Sequence, residues 1–569
     1  MKPSELIKCA RGDSPADLLI TNARVVNVFA GEIVNESFAV SQGHFVGFGR
    51  YRAEKTIDLK GRFVAPGFID PHVHIESSMA CTSEFVRAVL VHGTTTVAAD
   101  PHEIANVLGI DGINYMLNSA AGQPMNVYFT LPSCVPATDM ETAGATLLAA
   151  DLQPFMGQDR IIALAEMMNF PGVISGDPQV LAKLDVARQL GKPIDGHGPG
   201  LTGQDLNAYL AAGIGSDHEC TDAQEAREKL LAGMHIMIRQ GSTARNLSDL
   251  LPIVTAGCAR RLMWCTDDRH PHDLLDDGHI DTIVREAVSR GLDPVLAIQM
   301  ATINPAEYFG LTHLGAVAPG RQADFVVFSD LTAPVIEQVY CRGIRVAQNG
   351  MMHPDIEIVP SPAVRPSVRV NADEVDFAVP AAGDRMRVIT IIADQVITGQ
   401  QVEETPVDSG LAVARPARDL LKIAVVERHH GTGNVGKGFV KGLGLKKGAL
   451  ASSVAHDSHN IIVAGTNDTD MKTALAAVVD MGGGLAAVSE GRLLAALALP
   501  IAGLMSPEPI HQIRTCIDAL IAASHRLGST LQNPFMTLSF LALPVIPELK
   551  ITDRGLVDVN RFELVSLFV

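Results

Sequence analysis

Cysteine in ordered spacing is missing. Eight cysteines are scattered over 569 residues, and no two form a C-x-x-C pair. That pattern argues against a disulfide framework and for buried thiols in a reducing cytoplasm. Positive charge is in deficit, with 45 Lys+Arg against 63 Asp+Glu and a net charge of −18. That balance argues against nucleic acid and anionic membranes as partners, and solubility is the simplest use of the charge. Long apolar runs are missing too. The longest, Leu493 to Met505, is broken by Pro500 and is too short to span a bilayer. No basic stretch followed by an apolar segment opens the chain, so no secretory signal is expected and a cytoplasmic location is. Internal repeats and low-complexity tracts are absent.

What is present is a large apolar fraction, 47%, in a chain long enough for several domains. Its most informative stretch is Pro71-His72-Val73-His74, closing the apolar run Arg62 to Asp70. Residues two apart on a strand share a face, so His-x-His at a strand end aims two imidazoles at one point, half of a metal site. More short apolar segments follow, each ending in polar residues. Thr94–Ala99 runs into Asp100, Asn126–Leu131 into Pro132, and Ile161–Ala165 into Glu166. Pro193–Gly196 runs into His197, Ile214–Asp217 into His218, His235–Ile238 into Arg239, and Leu262–Thr266 into Asp267. Amphipathic stretches such as Asp177 to Leu190 and Asp222 to Leu231 lie between most of them. Strand–helix alternation of this kind implies parallel strands with helical crossovers, and eight such units suit a (β/α)8 TIM barrel of about 250 residues.

In such a barrel every strand ends at the face where active sites are built. His72, His74, Glu166, His197, His218 and Asp267 would then converge on one mouth. Four imidazoles and two carboxylates are enough to hold two metal ions, with Glu166 between them. Nitrogen and carboxylate ligands without cysteine suit Zn, Fe, Mn and Co alike.

The chain resembles the amidohydrolase superfamily and, within it, the adenine deaminases. The superfamily pattern is carried by Pro66 to His74, a carboxylate on the fourth strand, single histidines on the fifth and sixth, and an aspartate on the eighth. The narrower likeness rests on His74 to Met79, Ala99 to Val107, Ala165 to Asn169, Gly196 to Pro199, Ser216 to Glu219, Cys265 to His270 and Ser453 to Asn460. It covers essentially the whole chain. It implies hydrolytic deamination of adenine to hypoxanthine and ammonia, with two divalent ions, Mn(II) or Fe(II) with Zn(II) in exchange, and a homodimer or higher homo-oligomer. No lysine occurs between Lys60 and Lys183. A carboxylated-lysine bridge from the fourth strand, as in dihydroorotase-type sites, is thereby excluded, and Glu166 is the available bridging carboxylate.

Asp267, at the metal edge, is the expected proton acceptor. His102 either polarises the purine or the attacking water, or braces its loop. Glu103 and Glu219 are candidates to orient ligand histidines. Arg239 either braces a loop carboxylate or touches substrate, and Asp268 is the alternative base. His456, Asp457, His459 and Asn460 form a metal site, a substrate cap or a polar turn. Two rivals stay open: a hydrolase of the same superfamily acting on a cyclic amide, and a non-catalytic ligand-binding or scaffold protein.

Three regions are expected. Residues 1–63 and 316–360 form a small β-sandwich, 64–315 the barrel, and 367–569 an additional C-terminal α/β domain, after a proline-rich linker from Ser361 to Pro366. Gly431 to Gly436 matches G-x-G-x-x-G, but the glycines that follow oppose the helix a dinucleotide site needs. A mobile or tightly turning loop is expected there, with mobility through Gly448.

Overall fold

A computed structural model describes residues 3–393 and 395–569. Its centre is a TIM-barrel-like α/β domain with strands β1 (Phe68–His74), β2 (Thr94–Ala99), β3 (Asn126–Leu131), β4 (Ile161–Met167), β5 (Ile194–Gly196), β6 (Ser216–Asp217), β7 (His235–Arg239) and β8 (Leu262–Cys265). β1 to β5 pair in chain order in one sheet and β6 to β8 in another, all parallel. The Gly215 amide donates to the Ile194 carbonyl at 2.9 Å and joins the two arcs. The ring closes where Asp267 and Asp268 pair with Val73 and His74. Strands covered on both faces need near-continuous apolar runs, and β1, β2, β4 and β8 are buried at every position.

The crossover helices begin at capped ends. Asp177 accepts from the Gln179 and Val180 amides ahead of the helix Pro178–Arg188. Asp222 does the same for Gln224 and Glu225 ahead of Ala223–Leu231. Each cap satisfies donors that the first turn leaves free. Gly196 has a different task. A Cβ there would lie 2.1 Å from the Ser216 carbonyl oxygen, so only glycine lets β5 and β6 approach this closely.

Both flanks of the barrel contribute to one nine-stranded sheet. Phe325–Phe328 lies between Phe63–Pro66 and Gln338–Cys341, and Ala16–Asn27 pairs on from Phe63–Pro66. Its inner residues, among them Phe38, Phe45, Val64, Phe325 and Tyr340, pack into a core of their own.

Beyond the segment 361–366, which has no regular structure, lies an eight-stranded sheet. Alternate residues of its strands face opposite ways. Ala424, Val426, Ile461 and Val463 meet the helix Asp468–Asp480. Ile423, Val425, Ile462 and Ala464 join the helix Ile510–Leu527 in an apolar cluster continuous with the barrel. Among the described residues no helix is long and apolar enough to cross a membrane.

Candidate metal centre

The closing pair of the barrel sets the site. Pairing with Val73 and His74 brings Asp267 beside β1, where its Oδ1 lies 3.2 Å from His72 Nε2 and 3.0 Å from His74 Nε2. Asp267 sits at φ 57°, a left-handed backbone that aspartate tolerates better than most residues. Glu166, at the end of β4, faces both ways. Its Oε1 is 3.3 Å from His74 Nε2 and 3.7 Å from His72 Nε2. Its Oε2 is 2.6 Å from His197 Nδ1 and 3.3 Å from His218 Nε2. Two nests of imidazole nitrogens thus share one carboxylate. The rings of His72 and His218 stack at 4.0 Å and link the nests.

These groups fit divalent ions. His74 Nδ1 donates to the Asp100 carbonyl at 3.1 Å, which leaves the Nε2 lone pair directed at Glu166 and Asp267, the tautomer a ligand needs. Burial opposes ionisation of Glu166, yet His218 and His197 hold its carboxyl well below the usual range. Burial opposes Asp267 too, and Arg239 with His72 and His74 outweighs it. Buried carboxylates surrounded by nitrogen lone pairs make a cation-accepting cavity.

Arg239 is bonded to two carboxylates of the site. It donates to Glu219 through both terminal nitrogens, Nη2 to Oε2 at 3.0 Å, and its Nη1 reaches Asp267 Oδ2 at 2.9 Å. Glu219 in turn lies 3.4 Å from His218 Nε2 and 3.7 Å from His197 Nδ1. His102 Nδ1 meets Asp100 Oδ2 at 3.0 Å and lies 3.6 Å from Glu166 Oε1, against the shared carboxylate. Asp268 accepts from Ser77 Oγ at 2.5 Å, and burial followed by the Asp267 charge raises its pKa. Ser77 was not singled out in the sequence, although it lies in the run His74 to Met79. Asp70 is a second omission. It accepts from Thr266 Oγ1 at 2.6 Å and from the His72 amide at 3.2 Å, so it ties β1 to β8 beneath the ligands.

The C-terminal domain reaches the mouth through Glu103. His456 Nδ1 lies 2.8 Å from Glu103 Oε1, and His459 Nε2 contacts Glu103 Oε2. The trio has the composition of a third cation site. The hydrogen bonding of His459 points instead to a proton held between it and Glu103. The Ala455 amide donates to His459 Nδ1 at 3.2 Å, so the ring proton sits on Nε2, facing Glu103. Burial also pushes His459 down to about 4 and keeps it neutral. Asn460 turns elsewhere: its Nδ2 donates to the Thr142 carbonyl at 2.8 Å, and its Oδ1 accepts from the Arg428 amide at 3.2 Å. It clasps the loop after β3 to the C-terminal domain. Asp457 is buried with Oδ2 unbonded, and burial raises its pKa.

The G-x-G-x-x-G stretch is a tight turn, and the glycine-rich segment that follows begins as a strand, not a loop. Glu427 accepts from the His430 and Thr432 amides at 2.7 and 2.8 Å, which fills the loop with a carboxylate where a phosphate would go. Val435–Lys441 is then a strand paired on both sides, with Leu421–Val426 and with Arg385–Ile391.

Comparison with known proteins matches this geometry. The model for the amidohydrolase family fits residues 63–346, and that for the adenine deaminase C-terminal domain fits 395–563. An adenine deaminase of Desulfatibacillum aliphaticivorans is 54% identical over 568 residues, covering 100% of both chains. One from Nitratidesulfovibrio vulgaris (strain DP4) is 48% identical over 100% of this chain and 99% of its own. Adenine deaminase 2 of Carboxydothermus hydrogenoformans is 49% identical over 100% of both. With an amidohydrolase barrel and this buried cluster of nitrogen and carboxylate ligands, the centre takes a divalent metal cofactor. Matched end to end through both the barrel and the C-terminal domain, the chain belongs to the adenine deaminase family of amidohydrolases.

Proposed function

We propose that this chain hydrolyses adenine to hypoxanthine and ammonia in the barrel mouth. The observation that carries the reading is Glu166, whose two oxygens face different histidine pairs and so join two ligand nests. The substrate follows from the relatives named adenine deaminases, matched over barrel and C-terminal domain together.

His72, His74 and Asp267 would hold one ion, His197 and His218 the other, and Glu166 both. Mn(II) or Fe(II) is the proposed pair, with Zn(II) in exchange. When bound, divalent ions acidify water and supply hydroxide near neutral pH. Asp267 is the proposed general base. It takes the proton of the attacking water on Oδ1 and returns it to the ring or to the leaving amine, while Arg239 holds Oδ2. His102, fixed by Asp100, polarises the purine or the water. Glu219 orients His197 and His218, and Asp268 with Ser77 bounds the substrate space. Water plus adenine gives hypoxanthine plus ammonia, and no redox partner is needed.

In this reading residues 64–315 carry the chemistry, 1–63 with 316–360 form a β-sandwich at their side, and 367–569 close the mouth. The clasp between Thr142 and the Asp553 carboxylate, 2.9 Å from the amide and 2.7 Å from Oγ1, supports the closing role. Eight free thiols support a cytoplasmic location. The test is ammonia release by Mn-loaded protein from adenine, with cytosine, adenosine and dihydroorotate alongside. Turnover of dihydroorotate without turnover of adenine would overturn the assignment.

A further inference from the structure

Most polar groups around the barrel mouth already have partners in the chain. Arg239 is committed to Glu219 and Asp267, His102 to Asp100, His459 to Glu103 and the Ala455 amide, and Asn460 to Thr142 and Arg428. His456, like Asp457 beside it, keeps a buried atom unbonded. Its side chain is 6% exposed, its Nδ1 is bonded to Glu103, and its Nε2 is buried without a protein partner. A buried polar atom left unbonded is costly, so a partner from outside the chain is called for.

The ring is also held in one orientation. Glu103 fixes the Nδ1 edge, and Phe540 stacks on the face with centroids 4.9 Å apart and planes 18° from parallel. His456 lines a cavity between the two domains together with Ser77, Met79, Glu103, Leu504 and Met536. That cavity borders the proposed chemistry on two sides. Ser77 donates to Asp268, the neighbour of Asp267, and Glu103 follows His102 in the chain. Its methionines and leucine are apolar walls, and the polar groups lie at its edge. A purine presents in-plane acceptors at N1, N3 and N7, and an apolar pocket alone cannot read them.

We infer that His456, carried by the C-terminal domain, is a specificity-determining residue that donates a hydrogen bond from Nε2 to one ring nitrogen of the purine. This rests on the reading of the site as a purine deaminase. Nδ1 donates to Glu103, so Nε2 carries a proton only in the imidazolium. Burial opposes that form, but the Glu103 carboxylate outweighs it and raises His456 to about 9, so the donor is present at neutral pH. Glu103 is the positioning residue. It ties the substrate-reading ring of one domain to the His102 segment of the other.

The test uses intact metal-loaded protein and 6-methylpurine, which has no amine to lose, with its 1-deaza, 3-deaza and 7-deaza counterparts. Binding is measured by calorimetry for wild type and His456→Ala. The substitution should weaken 6-methylpurine roughly ten- to a hundredfold, the range for a hydrogen bond to a charged group. For one deaza compound the loss should vanish, because its missing nitrogen is the one His456 reads. His456→Gln, which keeps an amide donor, should recover part of the affinity. An equal loss on all four ligands marks a merely structural role and overturns the inference, as does unchanged affinity. A wild-type protein that deaminates adenine while His456→Ala keeps full discrimination sinks this inference alone. A wild-type protein that neither binds purines nor deaminates adenine sinks the proposed function with it.

Discussion

Replacing Asp267 with asparagine isolates basicity from shape. Asparagine is nearly isosteric, and it shares aspartate's tolerance of the left-handed backbone found here at φ 57°. The local chain therefore has no reason to rearrange. In the native site Oδ2 accepts from Arg239 at 2.9 Å, and Oδ1 faces the Nε2 atoms of His72 and His74 at 3.2 and 3.0 Å. An amide has one acceptor oxygen. Arg239 claims it, and the NH2 group is turned toward the centre, where it can take no proton. Losing a general base costs roughly 10²–10⁴ in rate, or about 2.7–5.4 kcal/mol of transition-state stabilisation. The bond between Glu103 and His456 is untouched, so affinity for 6-methylpurine should change less than about threefold. The assay pairs initial rates of ammonia release with calorimetry and metal content on the same sample. Metal content matters because Asp267 is also a proposed ligand, and a rate loss that tracks metal loss says nothing about the base. Fully loaded protein with near-normal kcat would refute the assignment. Asp268, whose pKa burial and the Asp267 charge raise, would then take the role.

Four further outcomes are expected. His72→Ala and Glu166→Ala should each lose most of the bound transition metal by elemental analysis, and full retention in both contradicts the ligand set. Lys229→Met leaves buried Asp217, 3.0 Å from Lys229 Nζ, without its cation, and should lower stability to urea by about 3–5 kcal/mol; a loss under about 1 kcal/mol would show that the pair is not decisive. Asp553→Ala removes both bonds to Thr142 and should open the loop after β3 to limited proteolysis while lowering kcat/KM for adenine, whereas unchanged cleavage would mean that the clasp does not hold the cover. His456 has a folded pKa raised to about 9 against an ordinary value near 6.5, so the folded state binds the extra proton between them; its stabilisation is full below about pH 6.5 and lost as pH rises to 9, and the denaturation midpoint of wild type should fall over that window more steeply than that of His456→Gln.

Much of the barrel could be read from the sequence because parallel strands covered on both faces tolerate little but apolar residues. β2 and β3 coincide with Thr94–Ala99 and Asn126–Leu131. β8 stops at Cys265, and the left-handed turn at Asp267 starts a separate short pairing with β1. That closure brings Asp267 to His72, and periodicity carries no signal for it. The six candidate ligand positions could be picked out because a strand end imposes a polar residue after an apolar run. The contacts of Glu103 were not, since they join residues more than three hundred positions apart whose pairing depends on how two domains dock.

Glycine misleads in the segment 431–448. Its density suggests a moving loop, yet at Gly436 a Cβ would lie 1.8 Å from the Thr552 carbonyl oxygen, and at Gly438 it would lie 3.1 Å from Leu556. The hairpin Leu549–Thr552 and Gly555–Asp558 lies directly against this strand. Glycine is there because two backbones touch, and a residue chosen for close approach has the same letter as one chosen for freedom. The consequence reaches the active site. The Thr552 hydroxyl donates to the Met140 carbonyl at 2.8 Å, and Asp553 holds Thr142, so the hairpin pressed onto Gly436 also grips the loop after β3. Gly436→Ala should therefore disturb adenine turnover as well as folding, because pushing the hairpin outward loosens the cover at the barrel mouth. If the variant folds with wild-type stability and full kcat/KM, the close approach is slack, and the cover does not depend on it.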